Sequence, residues 1–278
     1  MRKVAIGIAA LLAVLVIAAF ALPRFIDWNR YRGEIEARVW AATGQRLTID
    51  GDIDLALLPR PALSVGSLRL ANVKGASAGH MLALEGLTVN ARLAPLLFGR
   101  LEVESVALVR PTVEIERLAD GRLNWALAAE GSQGQSGGGQ PAPAPATGGA
   151  ESFQLDYLEV QDGTVVYRDP RANLVEEITG LEAELWADSL RGPFRLLAGA
   201  TARGTPVSLE AAIGRMEEGR ALSLGLVVDL LEGAGRVELA GSLSAPSAEG
   251  EFKGTLKVSA ASAAALRGAL SGERAGAA

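Results

Sequence analysis

A period of two in the apolar residues dominates the chain after Gly44 and limits it to folds built from β-sheets. Between Leu47 and Leu57 the odd positions are Leu, Ile, Gly, Ile, Leu and Leu, whereas the even positions are Thr, three Asp and Ala. The alternation returns over residues 101–115 and in segments between Val207 and Val258. Successive side chains of a strand point to opposite faces, so each segment predicts a half-buried strand. We expect a mainly β protein with a long, curved, mainly antiparallel sheet.

Two of the predicted strands change phase in the middle. The apolar positions shift between Val65 and Leu68 across Gly66, and between Leu84 and Leu87 across Glu85-Gly86. A one-residue slip beside a glycine is typical of a β-bulge, in which one strand carries an extra residue. We therefore predict a bulge in each of these strands.

A charge-free apolar run precedes the sheet. It covers residues 4–22, a length of 19 residues, and follows Arg2 and Lys3. A helix needs ~20 apolar residues to cross a bilayer, and the aromatic and basic residues 25–32 are typical of a membrane interface. Ala19-Phe20-Ala21 also fits the cleavage site of a signal peptide. We predict an uncleaved anchor over residues 1–24, with a cleaved signal as the alternative, and the flanking charges do not decide its orientation.

A short amphipathic helix is predicted over residues 28–43, with Asp27 as its N-cap and Gly44 as its stop. Either the following sheet or lipid could cover its apolar stripe, which has a spacing near 3.6: Trp28, Tyr31, Ile35, Val39 and Ala42.

Residues 131–150 contain only Gly, Ser, Gln, Pro, Ala and Thr. A segment of this composition cannot bury a core, so we predict a disordered linker. It separates residues 25–130, a helix followed by a β-sheet, from a second β-sheet segment over residues 151–278.

Composition argues against several function classes. The chain has no cysteine, a single histidine and a formal net charge of −5, with no basic run that would favour nucleic-acid binding. His80 lies in a loop-like stretch without the partners of a catalytic triad or zinc site. Asp50, Asp52 and Asp54 open like a calcium loop, but Leu55 and Pro61 occupy the positions that need Gly and Glu. We expect no catalytic residues, no metal site, no cofactor and no enzyme activity.

The order of several segments resembles the N-terminal region of AsmA-family envelope proteins of Gram-negative bacteria. A looser likeness covers residues 158–164 (LEVQDGT), and we expect a short family member or a fragment of a longer one. The segments that carry the resemblance follow the anchor in this order: residues 27–31 (DWNRY), 42–44 (ATG), 47–52 (LTIDGD), 59–61 (PRP), 68–72 (LRLAN), 95–100 (PLLFGR), 109–111 (VRP) and 120–125 (DGRLNW).

The resemblance implies a single-pass inner-membrane protein with its body in the periplasm and a groove-like sheet similar to that of bridge-type lipid-transfer proteins. It implies a role in outer-membrane assembly or phospholipid transport, with membrane lipids and outer-membrane assembly proteins as partners. The alternative is a non-enzymatic chaperone or scaffold for outer-membrane protein assembly, whose sheet edges pair with client strands. An apolar sheet face can shield acyl chains as readily as it can pack on a core. The candidate lipid-binding residues on that face are Ile49, Ile53, Leu55, Val103, Val109, Val113 and Ile115.

Overall fold

The computed structural model describes residues 26–100, 102–125, 155–189, 191–217, 220–230, 235–244 and 251–260. The predicted anchor over residues 1–24 and the predicted linker over residues 131–150 lie outside these residues. Within the described ranges, no helix is long and apolar enough to cross a membrane.

The protein is mainly β and contains one open sheet of 15 strands. In the described part of the chain two short helices accompany it, α1 (Arg32–Thr43), which follows a 3₁₀ turn at Trp28–Tyr31, and α2 (Leu93–Leu97). The strands are β1 (Leu47–Ile49), β2 (Ile53–Ala56), β3 (Ala62–Val65), β4 (Leu68–Ala71), β5 (His80–Leu84), β6 (Gly86–Ala91), β7 (Val103–Val109), β8 (Thr112–Glu116), β9 (Leu155–Asp169), β10 (Leu174–Ala187), β11 (Phe194–Ala202), β12 (Thr205–Ile213), β13 (Leu222–Leu230), β14 (Gly235–Leu243) and β15 (Phe252–Ala260).

The first eight strands are four longer strands, each interrupted once. The interrupted pairs are β1/β2, β3/β4, β5/β6 and β7/β8, so that β1-β4-β5-β8 and β2-β3-β6-β7 both run side by side up to β9. The phase changes predicted beside Gly66 and Gly86 lie at these interruptions, but neither strand carries the extra residue of a bulge there, since Val65 and Leu68 pair with Leu87 and Leu84, three positions apart on both strands. The extra residue lies in the first strand instead, between Ile49 and Ile53. The irregularity continues into β9 and β10, where Asp162 and Gly180 have φ of 53° and 59°. We call this series of breaks the bulge line.

The backbones approach each other closely at the start of the bulge line. The N–H groups of Asp50 and Gly51 both donate to the carbonyl of Ser67, at 2.7 and 3.0 Å. A Cβ on Gly51 would lie 2.5 Å from the Ser67 nitrogen, so only glycine fits this crossing.

The sheet is antiparallel except where β9 joins it. Both β7 and β8 pair with β9 in parallel, from Val103 opposite Leu155 to Glu116 opposite Arg168. The remaining strands to β15 form an antiparallel meander. Residues on both sides of the predicted linker therefore belong to one sheet.

The predicted helical segment is present, but Trp28–Tyr31 form a 3₁₀ turn and the α-helix itself begins at Arg32. The Asp27 side chain accepts from the Asn29 N–H, and Gly44 ends α1 in a left-handed conformation with φ 68°. Trp28 and Ile35 pack against the buried core, so the apolar stripe contacts the sheet, while Tyr31 and Trp40 remain exposed. This core consists of Ile49, Ile53, Val65, Leu68 and Leu84, and we call these residues the covered face.

Polar side chains of the helical segment also bond to the outer edge of the first strand pair. Glu36 accepts from the Ile49 N–H at 2.9 Å, and Asn29 accepts from the Ile53 N–H at 3.1 Å. Arg32 donates to the Gly51 carbonyl at 2.8 Å. An unpaired strand edge invites pairing with another chain, and these contacts cover this edge.

Candidate functional site

Two rows of apolar side chains run across the whole width of the sheet on the same face as the core. Residues that pair directly across a sheet point to the same side, so the strand register identifies each row. The first row contains Ile53, Val65, Leu87, Leu108, Val160, Ala183, Ala198, Leu209, Val228, Val237 and Val258, and the second row contains Leu55, Leu63, Val89, Val106, Leu158, Leu185, Leu196, Ala211, Leu226, Leu239 and Leu256.

Neither row contains a polar or charged side chain from β2 to β15. At about 4.8 Å between neighbouring strands, each row is about 48 Å long. Charged residues of the same strands point to the other face, among them Asp54, Glu159, Glu184, Glu210 and Glu238. The sheet is therefore amphipathic across its full width.

Burial decreases along the rows. In the first row Ile53 and Val65 are 3% and 7% exposed, the residues from Leu87 to Val237 are half-buried, and Val258 on the outermost strand is 59% exposed. Each strand from β11 to β15 packs extensively only on its neighbours in the sheet, and no described residues form a second layer over them. We call the row residues of these five strands the open face: Ala198, Leu209, Val228, Val237, Val258, Leu196, Ala211, Leu226, Leu239 and Leu256.

An aromatic ring extends the open face beyond the second row. Gly241 and Gly254 pair there, and the Phe252 ring lies over both of them. A Cβ on Gly254 would lie 2.6 Å from the Phe252 Cζ, so the two glycines leave the space that the ring fills. The apolar surface thus continues across a position that has no side chains of its own.

Five of the seven candidate lipid-binding residues lie on the apolar face. Ile49 and Ile53 belong to the covered face, each 3% exposed. Leu55 is half-buried in the second row. Val113 and Ile115 are half-buried on the far side of the bulge line, and Val113 pairs with Leu82, which packs against the core.

Val103 and Val109 lie outside the two rows. Val109 points to the opposite face, because its neighbour Leu108 occupies the first row. Val103 is buried, and the register between β6 and β7 shifts between it and Ser105. Arg110, with φ 45°, and Pro111 break the strand, and the phase changes there. The sequence pattern does not reveal this change. Val109 and Val113 are both apolar and both at odd positions, so the alternation looks continuous across the break.

The family of the chain follows from comparison with known proteins. The AsmA family model matches residues 1–274. The chain belongs to the AsmA family. No curated protein and no solved structure matches it.

Two segments that carry the AsmA-family resemblance meet in a buried polar cluster at the end of β8. Asn124 is fully buried, accepts from the Glu116 N–H at 2.9 Å and donates to the Asn72 Oδ1 at 3.2 Å. Glu116, 1% exposed, accepts from the N–H and the hydroxyl of Ser77, each at 2.7 Å. These motif residues hold two loops on the end of the sheet, which is a structural role.

The polar face of this AsmA-family sheet has a shallow depression across β9 to β13. Partial burial raises the pKa of Tyr157, whose hydroxyl donates to Glu184 at 3.2 Å. Each acidic residue of the depression has a hydrogen-bond or ion-pair partner, as on a solvated polar surface: Glu159, Glu182, Glu184, Glu210 and Asp229.

The residues considered for metal or nucleophilic chemistry lie apart from the apolar rows. His80 is exposed at the first position of β5 and pairs with Ala71, so it belongs to a strand and not to a loop. Asp50, Asp52 and Asp54 are exposed, and Asp50 forms an ion pair with Arg69 at 2.8 Å. Among the described residues, no three His, Cys, Asp or Glu side chains are placed to share a metal ion.

Sequence reasoning misses most of the apolar rows. The alternation within β13 is visible in the chain, from Leu222 to Leu230, but only strand pairing shows that it continues the rows of β7 and β9. In β9 and β10 the alternation is interrupted at Asp162 and Gly180, which hides the two longest strands.

Proposed function

We propose that this AsmA-family protein is anchored in the inner membrane by residues 1–24, with its body in the periplasm. There it binds phospholipid acyl chains on the open face and acts in outer-membrane assembly or phospholipid transport, without enzyme activity. The observation that carries the proposal is the pair of apolar rows, which pass from a helix-covered core to a surface that no described residues cover.

The size of the open face supports a ligand. Five strands and two rows give a surface of about 24 by 14 Å, on the order of 300 Å², which is the size at which apolar patches are often functional. Burying apolar surface contributes about 25 cal/mol per Å², so acyl chains would stabilise this face substantially. Membership of the AsmA family fits an envelope role of this kind in general.

Two adjacent valines of β13 offer a matched test. Val228 lies in the first row and Val227 on the polar face, and both are half-buried. Glu210 and Glu238 flank Val227, so neutral Asn is substituted at both positions to avoid charge repulsion. Each full-length variant is solubilised gently, and its phospholipid-to-protein ratio is measured by mass spectrometry beside its melting temperature.

Val228→Asn should lower the ratio several-fold while the melting temperature stays near that of Val227→Asn. An equal ratio in the two variants would place bound lipid elsewhere or show that none binds. A separate experiment tests the location. Alkaline phosphatase is active only in the periplasm, so a fusion after Ala278 should be active if the body lies there.

The second candidate function is that of a chaperone or scaffold for outer-membrane proteins. It is favoured by β15, an outer strand exposed along its whole length, with Leu256 64% exposed. In this case the edge of β15 would pair with client strands. Crosslinks from a single cysteine at Thr255 to outer-membrane proteins, with no difference between the two valine variants, would favour this function over lipid binding.

A further inference from the structure

Phe98 is the most exposed large apolar side chain of the described residues. It is 80% exposed directly after α2. Its backbone lies in a closed turn, because the N–H groups of Phe98 and Arg100 both donate to the Pro95 carbonyl at 3.0 Å. A hydrogen-bonded turn therefore presents this ring to the surroundings.

A second turn lies beside it. The Ala91 N–H donates to the Pro61 carbonyl at 2.9 Å, which joins the turn of residues 57–61 to the start of residues 92–100. The two turns carry the exposed Phe98 and the half-buried Leu57, Leu58 and Leu96. They also carry Arg60 and Arg100, both exposed and without a carboxylate partner among the described residues. Aromatic and aliphatic side chains next to Arg are typical of protein surfaces at a membrane interface.

Both turns lie at the end of the sheet where the helical segment begins. The contacts of Asn29 with Ile53 and of Glu36 with Ile49 show that this segment runs antiparallel to the first strand pair. Residues before Asn29 therefore lead towards the end at which β2 finishes. Ile26 is 41% exposed there.

The distances permit a common membrane contact. The four steps from Ile53 to Leu57 extend about 13 Å in a strand. The seven steps from Leu22 to Asn29 span at most about 25 Å. The tips of the two turns thus lie within reach of the bilayer in which residues 1–24 would be anchored.

We propose that residues 57–61 and 92–100 dock on the surface of this bilayer. Phe98 inserts at the boundary between headgroups and acyl chains, and Arg60 and Arg100 contact anionic headgroups. The inference rests on the proposed membrane anchor. It adds a second contact with lipid, which fixes the ends of β2, β3, β6 and β7 against the membrane.

The absence of cysteine makes a clean test possible. Full-length Phe98→Cys is labelled with a polarity-sensitive fluorophore and reconstituted in vesicles of phosphatidylethanolamine and phosphatidylglycerol. The matched control is Ala172→Cys, an exposed site in the β9–β10 turn at the opposite end of the sheet. We expect blue-shifted emission and quenching by brominated lipid at position 98, and neither at position 172. Replacing phosphatidylglycerol with phosphatidylcholine should reduce the blue shift.

The experiment distinguishes failure of the docking proposal from failure of the membrane anchor. An aqueous label at position 98 in protein that resists carbonate extraction would overturn the docking and leave the anchor intact. Protein that is lost on carbonate extraction, with an aqueous label, would overturn both. A blue shift that is unaffected by brominated lipid would indicate that the label is buried in protein, in this chain or in a second copy of it, and would also overturn the proposal.

Discussion

The covered face and the open face both contribute residues to the first apolar row but differ in what lies over them. Ile53 and Val228 both belong to the first row, and Ile53 is buried by the helical segment, whereas Val228 is only half-buried. Alternation of apolar residues thus shows that a sheet has two faces, but not which part of a face becomes core. The helix decides, because it is long enough to cover only the first strands.

The largest expected effect tests this difference directly. Ile53→Asp places an unpaired carboxylate in the core, which costs several kcal/mol, a large part of the roughly 5–15 kcal/mol that stabilises a typical domain. Val228→Asp keeps its charge in contact with water and should cost less than about 2 kcal/mol. Urea unfolding of the two full-length variants measures both values. Equal destabilisation would mean that the open face is also covered, and the comparison would fail.

A second prediction concerns the contacts that cover the first edge. Glu36→Ala leaves the N–H of buried Ile49 without its partner and should cost about 1–3 kcal/mol. Glu34→Ala on the same helix removes only an exposed pair with Arg38 and should change stability by less than about 0.5 kcal/mol. If the two variants are equally stable in urea, packing alone holds the helix on the covered face.

The smallest expected effect on stability comes from ion-paired carboxylates on the solvated polar face. It should be the same behind the covered face and behind the open face. A hydrogen bond from Arg69 lowers the pKa of Asp50 behind the covered face, and one from Arg236 lowers the pKa of Glu238 behind the open face. Each carboxylate titrates lower in the folded chain, so its contribution is full above its unfolded pKa, about 3.9 for Asp and 4.3 for Glu. It is lost as the pH falls through the folded pKa.

Asp50→Asn and Glu238→Gln should therefore both unfold at slightly lower urea concentrations than the parent at pH 7. Each should lose less stability than the parent between pH 7 and pH 3. A clear difference between the two variants would show that the polar face, too, is unequal between the regions.

Local patterns in the sequence predict the local elements well. The helical segment between Asp27 and Gly44, the phase changes beside Gly66 and Gly86, and the strands β12 to β15 all occur where capping, phase and alternation place them. These features depend on residues close in sequence, which is why a single chain is enough to find them.

Features that depend on pairing between distant residues are harder to predict. Val109 and Val113 face opposite sides because the strand breaks at Arg110, whose left-handed backbone is not evident from its residue type. The parallel pairing of β7 and β8 with β9 joins residues on either side of the predicted linker. The burial of Ile49 and Ile53 requires the docked helix, so apolarity alone could not distinguish core residues from candidate lipid contacts.

The parallel pairing at β9 bears on whether the protein still assembles when the chain is cleaved within residues 131–150. A single constant register, from Val103–Leu155 to Glu116–Arg168, aligns the two parts of the sheet along the whole of β7 and β8. The alignment is held by backbone hydrogen bonds and shared apolar rows, so the length and sequence of residues 131–150 contribute little to it. Two separately expressed pieces divided within those residues should complement each other, and this makes the segment a natural site for inserting a reporter or a protease site.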